Sequence, residues 1–95
     1  VSLSTHVLDT EQGRPAAGVR VEVYRGAERV AEQTTGDDGR IAELAPDAAA
    51  GVYRVVFHPP SPFFRRVELE VELDDGHTHL PLLVSSYSCA SYRGS

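Results

Sequence analysis

Tryptophan, methionine and lysine are missing from this chain altogether, and cysteine occurs once, at Cys89. One cysteine cannot form an intrachain disulfide, so packing and hydrogen bonds must hold the fold. A reducing compartment, the cytoplasm, is the expected location. Val1 in place of methionine keeps a secreted or periplasmic origin open. No apolar run approaches the roughly 18 residues that a membrane-spanning helix needs, and no basic stretch followed by an apolar one opens the chain, so no membrane partner is expected. All nine basic residues are arginine, against fourteen acidic ones, for a net charge of −5. A nucleic-acid-binding domain shows a basic excess or a clustered basic face. Neither is visible, and nucleic acid is not expected as a partner. Also missing are a glycine-rich phosphate loop, a dinucleotide fingerprint and a nucleophile elbow around a serine. Catalysis, if the chain has it, should be hydrolytic and free of cofactors.

What is present reads as one all-β domain over residues 1–95. The length leaves no room for a second core. With 41% hydrophobic and 7% aromatic residues, the core must come mainly from valine, leucine and alanine, with a few tyrosines and phenylalanines. The dominant period is two. In Val67-Glu68-Leu69-Glu70-Val71-Glu72-Leu73 apolar residues alternate strictly with glutamate, which predicts a strand with one buried and one wet face. Val19 to Tyr24 alternates the same way, so Glu22 is expected to face water, while Tyr53 to Phe57 and Leu80 to Val84 read as shorter, more buried strands. Asp37-Asp38-Gly39 and Asp74-Asp75-Gly76 supply turns, and Gln12 to Pro15 and Pro59 to Pro62 are expected to break pairing. The alanine run Ala48 to Ala50, between Pro46 and Gly51, is too short for a stable helix. Seven or eight short strands with regular turns predict a two-sheet sandwich.

Chemistry concentrates in few places. Of the four histidines, His6, His58, His77 and His79, the pair His77-Thr78-His79 projects from one face if the segment is a strand. That spacing suits a metal with His6 as a third ligand, although the ordinary reading of each is a hydrogen-bonded surface imidazole and no metal is expected. Imidazole is also the one side chain with an ordinary pKa near neutrality, so these residues are the best acid or base in the chain. Arg40 follows the Asp38-Gly39 turn, where a rigid scaffold can aim it. The chain ends on Tyr92-Arg93-Gly94-Ser95. Such a tail frays unless something holds it, yet it offers a phenol, a guanidinium, a hydroxyl and a carboxylate within four residues.

Taken in order, Leu3-Ser4-Thr5-His6-Val7-Leu8-Asp9-Thr10, Asp38-Gly39-Arg40, His77-Thr78-His79-Leu80-Pro81-Leu82-Leu83-Val84-Ser85 and Tyr92-Arg93-Gly94-Ser95 resemble the 5-hydroxyisourate hydrolases, transthyretin-related enzymes of urate breakdown, along essentially the whole chain. The terminal tetrapeptide separates these enzymes from the hormone carrier transthyretin. The resemblance implies a transthyretin-like (prealbumin-like) sandwich of two four-stranded sheets. It also implies a homotetramer with active sites in a channel at the dimer–dimer interface. The implied reaction, part of purine catabolism, is ring-opening hydrolysis of an amide bond in 5-hydroxyisourate to 2-oxo-4-hydroxy-4-carboxy-5-ureidoimidazoline. Carried over by position, His6, Arg40, His79 and Ser95 match the catalytic residues, while His77, Tyr92, Arg93 and Gly94 match neighbouring positions that would contact substrate or support the site. The other reading is a non-catalytic transthyretin-like protein that binds a small ligand. This chain departs from the family pattern between Phe57 and Phe63, where only His58 to Pro62 stands in place of a longer segment with a short helix. That helix is expected to be shortened or absent. Thr78 stands where tyrosine is usual, Ser86 where proline is usual, and Cys89-Ala90-Ser91 replaces Tyr-Ser-Thr.

Overall fold

In the computed structural model, which describes all residues from Val1 to Ser95, one strand organises half of the molecule. Along β1 (Ser2–Asp9) the residues Leu3, Thr5 and Val7 are buried, and Ser2, Ser4, His6 and Leu8 lie half-buried on the opposite face, as a period of two requires. Both edges of β1 are used. On one side β8 (His77–His79) and β9 (Leu82–Val84) run parallel to it, and β10 (Cys89–Ser91) adds antiparallel to β9. On the other side the two-residue strands β2 (Arg14–Pro15) and β5 (Arg40–Ile41) pair antiparallel. The second sheet is antiparallel throughout, in the order β4 (Glu28–Thr34), β3 (Arg20–Arg25), β6 (Gly51–His58), β7 (Val67–Leu73).

The inner faces of the two sheets form one core. Leu3, Val7, Leu82 and Val84 meet Val21, Val23, Tyr53, Val55, Phe57 and Leu73 in a single buried cluster. Burying a side chain such as Phe57 stabilises the fold by about 1.5–3 kcal/mol. The alternation in β7 is as expected: Glu68, Glu70 and Glu72 are exposed, and the apolar residues between them face inward.

The strand count is ten, above the expected seven or eight, because short pairings form beside the longer strands. Leu80 donates to the Ser4 carbonyl at 2.8 Å, but Pro81 has no N–H to give, so of the expected Leu80 to Val84 strand only Leu82–Val84 pairs, as β9, and His77–His79 forms β8 apart from it. Arg14–Pro15, expected to break pairing, instead pairs with Leu8 and Asp9 of β1, because a turn at Gly13 folds it back on the same strand. Glu22, expected to be wet, is 6% exposed, for a reason found in its neighbours. No helix occurs anywhere. Where the family pattern carries one, the Ser61 hydroxyl accepts from the amides of Phe63 and Phe64 and donates to the Ser86 carbonyl at 2.8 Å, which organises the shortened bend.

Candidate functional site

Pairing to β1 gathers four distant stretches of sequence on the outward face of the first sheet. Arg40 lies opposite His6, His77 opposite Ser2, and His79 opposite Ser4. The tail joins them through a bridge between His79 and Gly94, closed by the Gly94 amide donating to the His79 carbonyl at 2.7 Å.

Local geometry explains why these side chains stay in place. Gly39 has φ of 75°, and a Cβ there would stand 2.5 Å from the Val7 carbonyl oxygen, so only glycine lets the turn lie against β1. Asp38 Oδ1 accepts the Arg40 amide at 2.9 Å and completes the turn that sets Arg40 beside His6. At the tail, a Cβ on Gly94 would stand 2.7 Å from Cδ2 of the His79 ring. Glycine is therefore what allows the tail to lie flat on that imidazole.

A line of hydrogen bonds runs through the polar side chains. The Ser2 hydroxyl donates to Glu43 Oε1 at 2.7 Å, and the Leu3 amide donates to Glu43 Oε2 at 2.9 Å. Ser2 Oγ also meets His77 Nδ1 at 2.6 Å. Ser4 Oγ lies 2.9 Å from His77 Nε2 and 2.8 Å from His79 Nδ1. Burial pushes the Glu43 carboxyl up, but the Leu3 amide and the Ser2 hydroxyl outweigh it and hold the group below the ordinary carboxylate value. His79 is held below the ordinary imidazole value, first by burial and then by the charges of Arg40, His6 and His77. It is therefore neutral at neutral pH and able to accept a proton.

The site is open to an anion. Arg40 is exposed and takes part in none of the molecule's ion pairs. His6 Nε2 is buried without a hydrogen-bond partner. A groove of about 410 Å³ lined by Ser4, Asp38, Arg40, His77 and His79 has room for a small heterocycle. Concavities of about 450 Å³ beside Pro46 to Ala49 and Tyr53 and of about 620 Å³ beside Gly51, Asp74 and Arg93 are larger but contain no imidazole, so chemistry and not volume selects the groove.

Of the residues singled out from the sequence, His6, Arg40, His77, His79 and Gly94 come together. Ser95 follows Gly94, exposed and without a hydrogen bond inside the chain. Tyr92 and Arg93 line a different cleft, against Leu69, Val71, Thr78 and Leu80, and Arg93 pairs with Asp74 at 3.5 Å. Both ring nitrogens of His77 are engaged by serine hydroxyls, and no three His, Cys, Asp or Glu residues converge as a ligand set. Ser2, Ser4 and Glu43 were not singled out from the sequence. Ser4 shares a face of β1 with His6 and was legible by period; Glu43, in a loop after β5, carried no such signal.

A family model described as the HIUase/Transthyretin family matches residues 3–94. The 5-hydroxyisourate hydrolase 2 of Rhizobium meliloti (strain 1021) is 40% identical over 114 aligned positions, which cover 98% of this chain and 95% of that protein. Those positions exceed the 95 residues here by 19 (114 − 95), so the relative carries length that this chain lacks. The solved structure of Klebsiella pneumoniae 5-hydroxyisourate hydrolase superposes with a TM-score of 0.92 at 34% identity, covering 100% of both chains. Sea bream transthyretin in complex with thyroxine superposes at 0.84 with 26% identity, covering 97% of this chain and 93% of that one.

Proposed function

The chain belongs to the HIUase/transthyretin family, and from that premise we propose that it hydrolyses 5-hydroxyisourate to 2-oxo-4-hydroxy-4-carboxy-5-ureidoimidazoline as a step of urate breakdown. The observation that carries this reading is the convergence of His6, an unpaired Arg40 and a neutral His79 on one outward face, with the tail seated on His79 at Gly94.

The chemistry follows from what each group can do. A water beside His79 gives its proton to the imidazole while its oxygen attacks the ring carbonyl, and Arg40 stabilises the oxyanion that forms. The ring C–N bond then breaks, the carbonyl carbon keeps the hydroxyl, and the proton held by His79 passes to the departing nitrogen. General-base catalysis of this kind contributes about 10²–10⁴-fold. Arg40 is suited to its part because a planar guanidinium binds the edge of a urate-like ring through two donors. His6, paired opposite Arg40 in the register, keeps its Nε2 buried and unpartnered behind the groove, and Ser95, the residue after Gly94, offers an exposed hydroxyl. No step calls for a cofactor. A carrier would share the sandwich, as sea bream transthyretin does at 26% identity, but the more similar proteins are hydrolases.

The assembly we propose is a homotetramer with the grooves at the dimer–dimer interface. Two observations support it. Leu8 and Leu83 are neighbours in the register and lie half-buried on the same outward face as the imidazoles, and β7 and β10 are unpaired sheet edges. A cytoplasmic location is supported by Cys89, an exposed free thiol. The deciding experiment adds the protein to freshly generated 5-hydroxyisourate and follows its absorbance. Decay well above the spontaneous rate is expected; decay at the spontaneous rate overturns the assignment.

A further inference from the structure

We propose that Glu43, acting through Ser2, His77 and Ser4, is a positioning residue that fixes the tautomer of His79 and leaves its Nε2 unprotonated toward the groove. The functional consequence rests on His79 being the base of the proposed reaction, but the tautomer itself is independent of any substrate.

The direction of every hydrogen bond in the line follows from its first member. An ionised carboxylate only accepts, so the single Ser2 hydroxyl proton must point at Glu43 Oε1, 2.7 Å away. Ser2 Oγ then has only lone pairs to offer His77 Nδ1 at 2.6 Å, and Nδ1 must carry the proton. In a neutral imidazole the other nitrogen is then an acceptor. His77 Nε2 therefore receives the Ser4 hydroxyl proton at 2.9 Å. Ser4 Oγ in turn accepts from His79 Nδ1 at 2.8 Å, which places the His79 proton on Nδ1 and a free lone pair on Nε2. No link can be reversed alone without setting two protons or two lone pairs against each other. The anchor is firm because Glu43 Oε2 also accepts the Leu3 amide at 2.9 Å, inside the β1 backbone. His77 thus acts through Ser4 on His79.

Glu43→Gln tests this sharply, since an amide has one accepting oxygen and one donating nitrogen. The Leu3 N–H, a fixed donor, claims the oxygen, and the NH₂ is left facing Ser2 Oγ. Ser2 must then donate to His77 Nδ1, the His77 proton moves to Nε2, Ser4 donates to His79 Nδ1, and the His79 proton moves to Nε2. One substitution at Glu43 should reverse the whole line.

The experiment is long-range ¹H–¹⁵N NMR of the histidine rings of the intact protein in mildly alkaline solution. The parent protein is expected to show Nδ1–H for both His77 and His79, and E43Q to show Nε2–H for both. With 5-hydroxyisourate, kcat of E43Q is expected to fall at least about tenfold with KM little changed. Fixing the wrong tautomer in a serine-protease triad costs about 10⁴. Ser2→Ala, which cuts the line without reversing it, should give mixed tautomers and a smaller loss of kcat; it also serves as the test if E43Q does not fold. The proposal is overturned if His79 in the parent protein carries its proton on Nε2, or if neither variant changes the tautomer populations. Tautomers that behave as stated in a protein without hydrolytic activity would sink the functional reading and leave the positioning role standing.

Discussion

The two sheets turn outward faces built from the same residue types, and they use them in opposite ways. On the second sheet Glu22 is met directly by His58 Nε2 at 2.5 Å, the Tyr24 hydroxyl at 2.8 Å, Arg29 at 3.3 Å and Arg20 at 3.4 Å. Glu32 draws Arg20 and Arg29 together, and Arg54 stacks over the Tyr24 ring at 4.7 Å. These partners cover Glu22, which is why a residue expected in water is buried. On the first sheet the carboxylate of Glu43 stands two serines and one histidine away from the His79 imidazole, Arg40 has no acid, and His6 keeps a bare nitrogen. Direct contact between acid and cation satisfies both groups and leaves nothing for a substrate. Separating them by neutral hydroxyls transmits direction without cancelling charge, and the cation stays available.

The largest way to break that difference is to remove the unpaired cation. Arg40→Ala is expected to lower kcat/KM by about 10²–10³, the loss typical of deleting one oxyanion donor, while the melting temperature hardly moves because no partner is orphaned. Arg29→Ala on the opposite face should leave turnover unchanged. Steady-state kinetics and a thermal melt of each variant decide the matter; normal turnover by Arg40→Ala would mean that the open face is not the catalytic one.

The closed cluster should fail in the reverse sense. Glu22→Ala removes an acid and strands its donors, so a loss of about 1–3 kcal/mol is expected, or roughly 4–8 °C in melting temperature per kcal/mol. Activity per folded molecule should be retained. The hydrogen bond from His58, followed by that from Tyr24, holds the Glu22 carboxyl down to about 2, against an ordinary 4.5. Because the folded value is depressed, the stability Glu22 contributes is complete above about 4.5 and is lost as pH falls from there toward about 2. His79 titrates below 6.5, so activity should hold down to a lower pH than a free imidazole allows and then fall as the base protonates. On acidification the protein should become inactive while still folded. Parallel activity and circular dichroism titrations check this, and simultaneous loss of both would show that the two faces are not independent.

How much of this the sequence disclosed depends on whether a residue's partners lie within reach of a local pattern. The strand Val67 to Leu73 was legible because a period of two needs no knowledge of neighbours. Glu22 sits in an equally regular strand and was misplaced, since its burial comes from Arg29 on β4 and His58 on β6, which no local pattern reveals. His6, Arg40 and His79 were found through motifs that resemble a family, and the register of β1 gives the physical reason they belong together. Glu43 lies in an irregular loop and meets Ser2 across 41 positions, so only coordinates could show that it closes a line ending at His79. The shortening of the Leu80 to Val84 strand at Pro81 is the opposite case: the missing N–H is readable from the sequence directly.

The smallest expected effects concern how the tail serves the open face. Gly94 touches His79 through its own backbone, and Gly94→Ala would put a methyl group 2.7 Å from Cδ2 of the ring. The imidazole must turn or the tail must lift, and displacing a catalytic group by a fraction of an ångström is expected to cost about tenfold in kcat, since misplacement by about 1 Å can cost 10²-fold. Arg93 is different. Its guanidinium lies on Asp74 at 3.5 Å, with both side chains about two-thirds exposed, and exposed pairs of this kind contribute little. Arg93→Ala should therefore change kcat by less than about twofold if the tail works by backbone contact with His79. A loss for Arg93→Ala as large as that for Gly94→Ala would instead mean that this guanidinium reaches a groove its own chain does not offer it. That result would favour a neighbouring subunit as the owner of the groove, and size measurements on the same two variants would separate a catalytic loss from a loss of assembly.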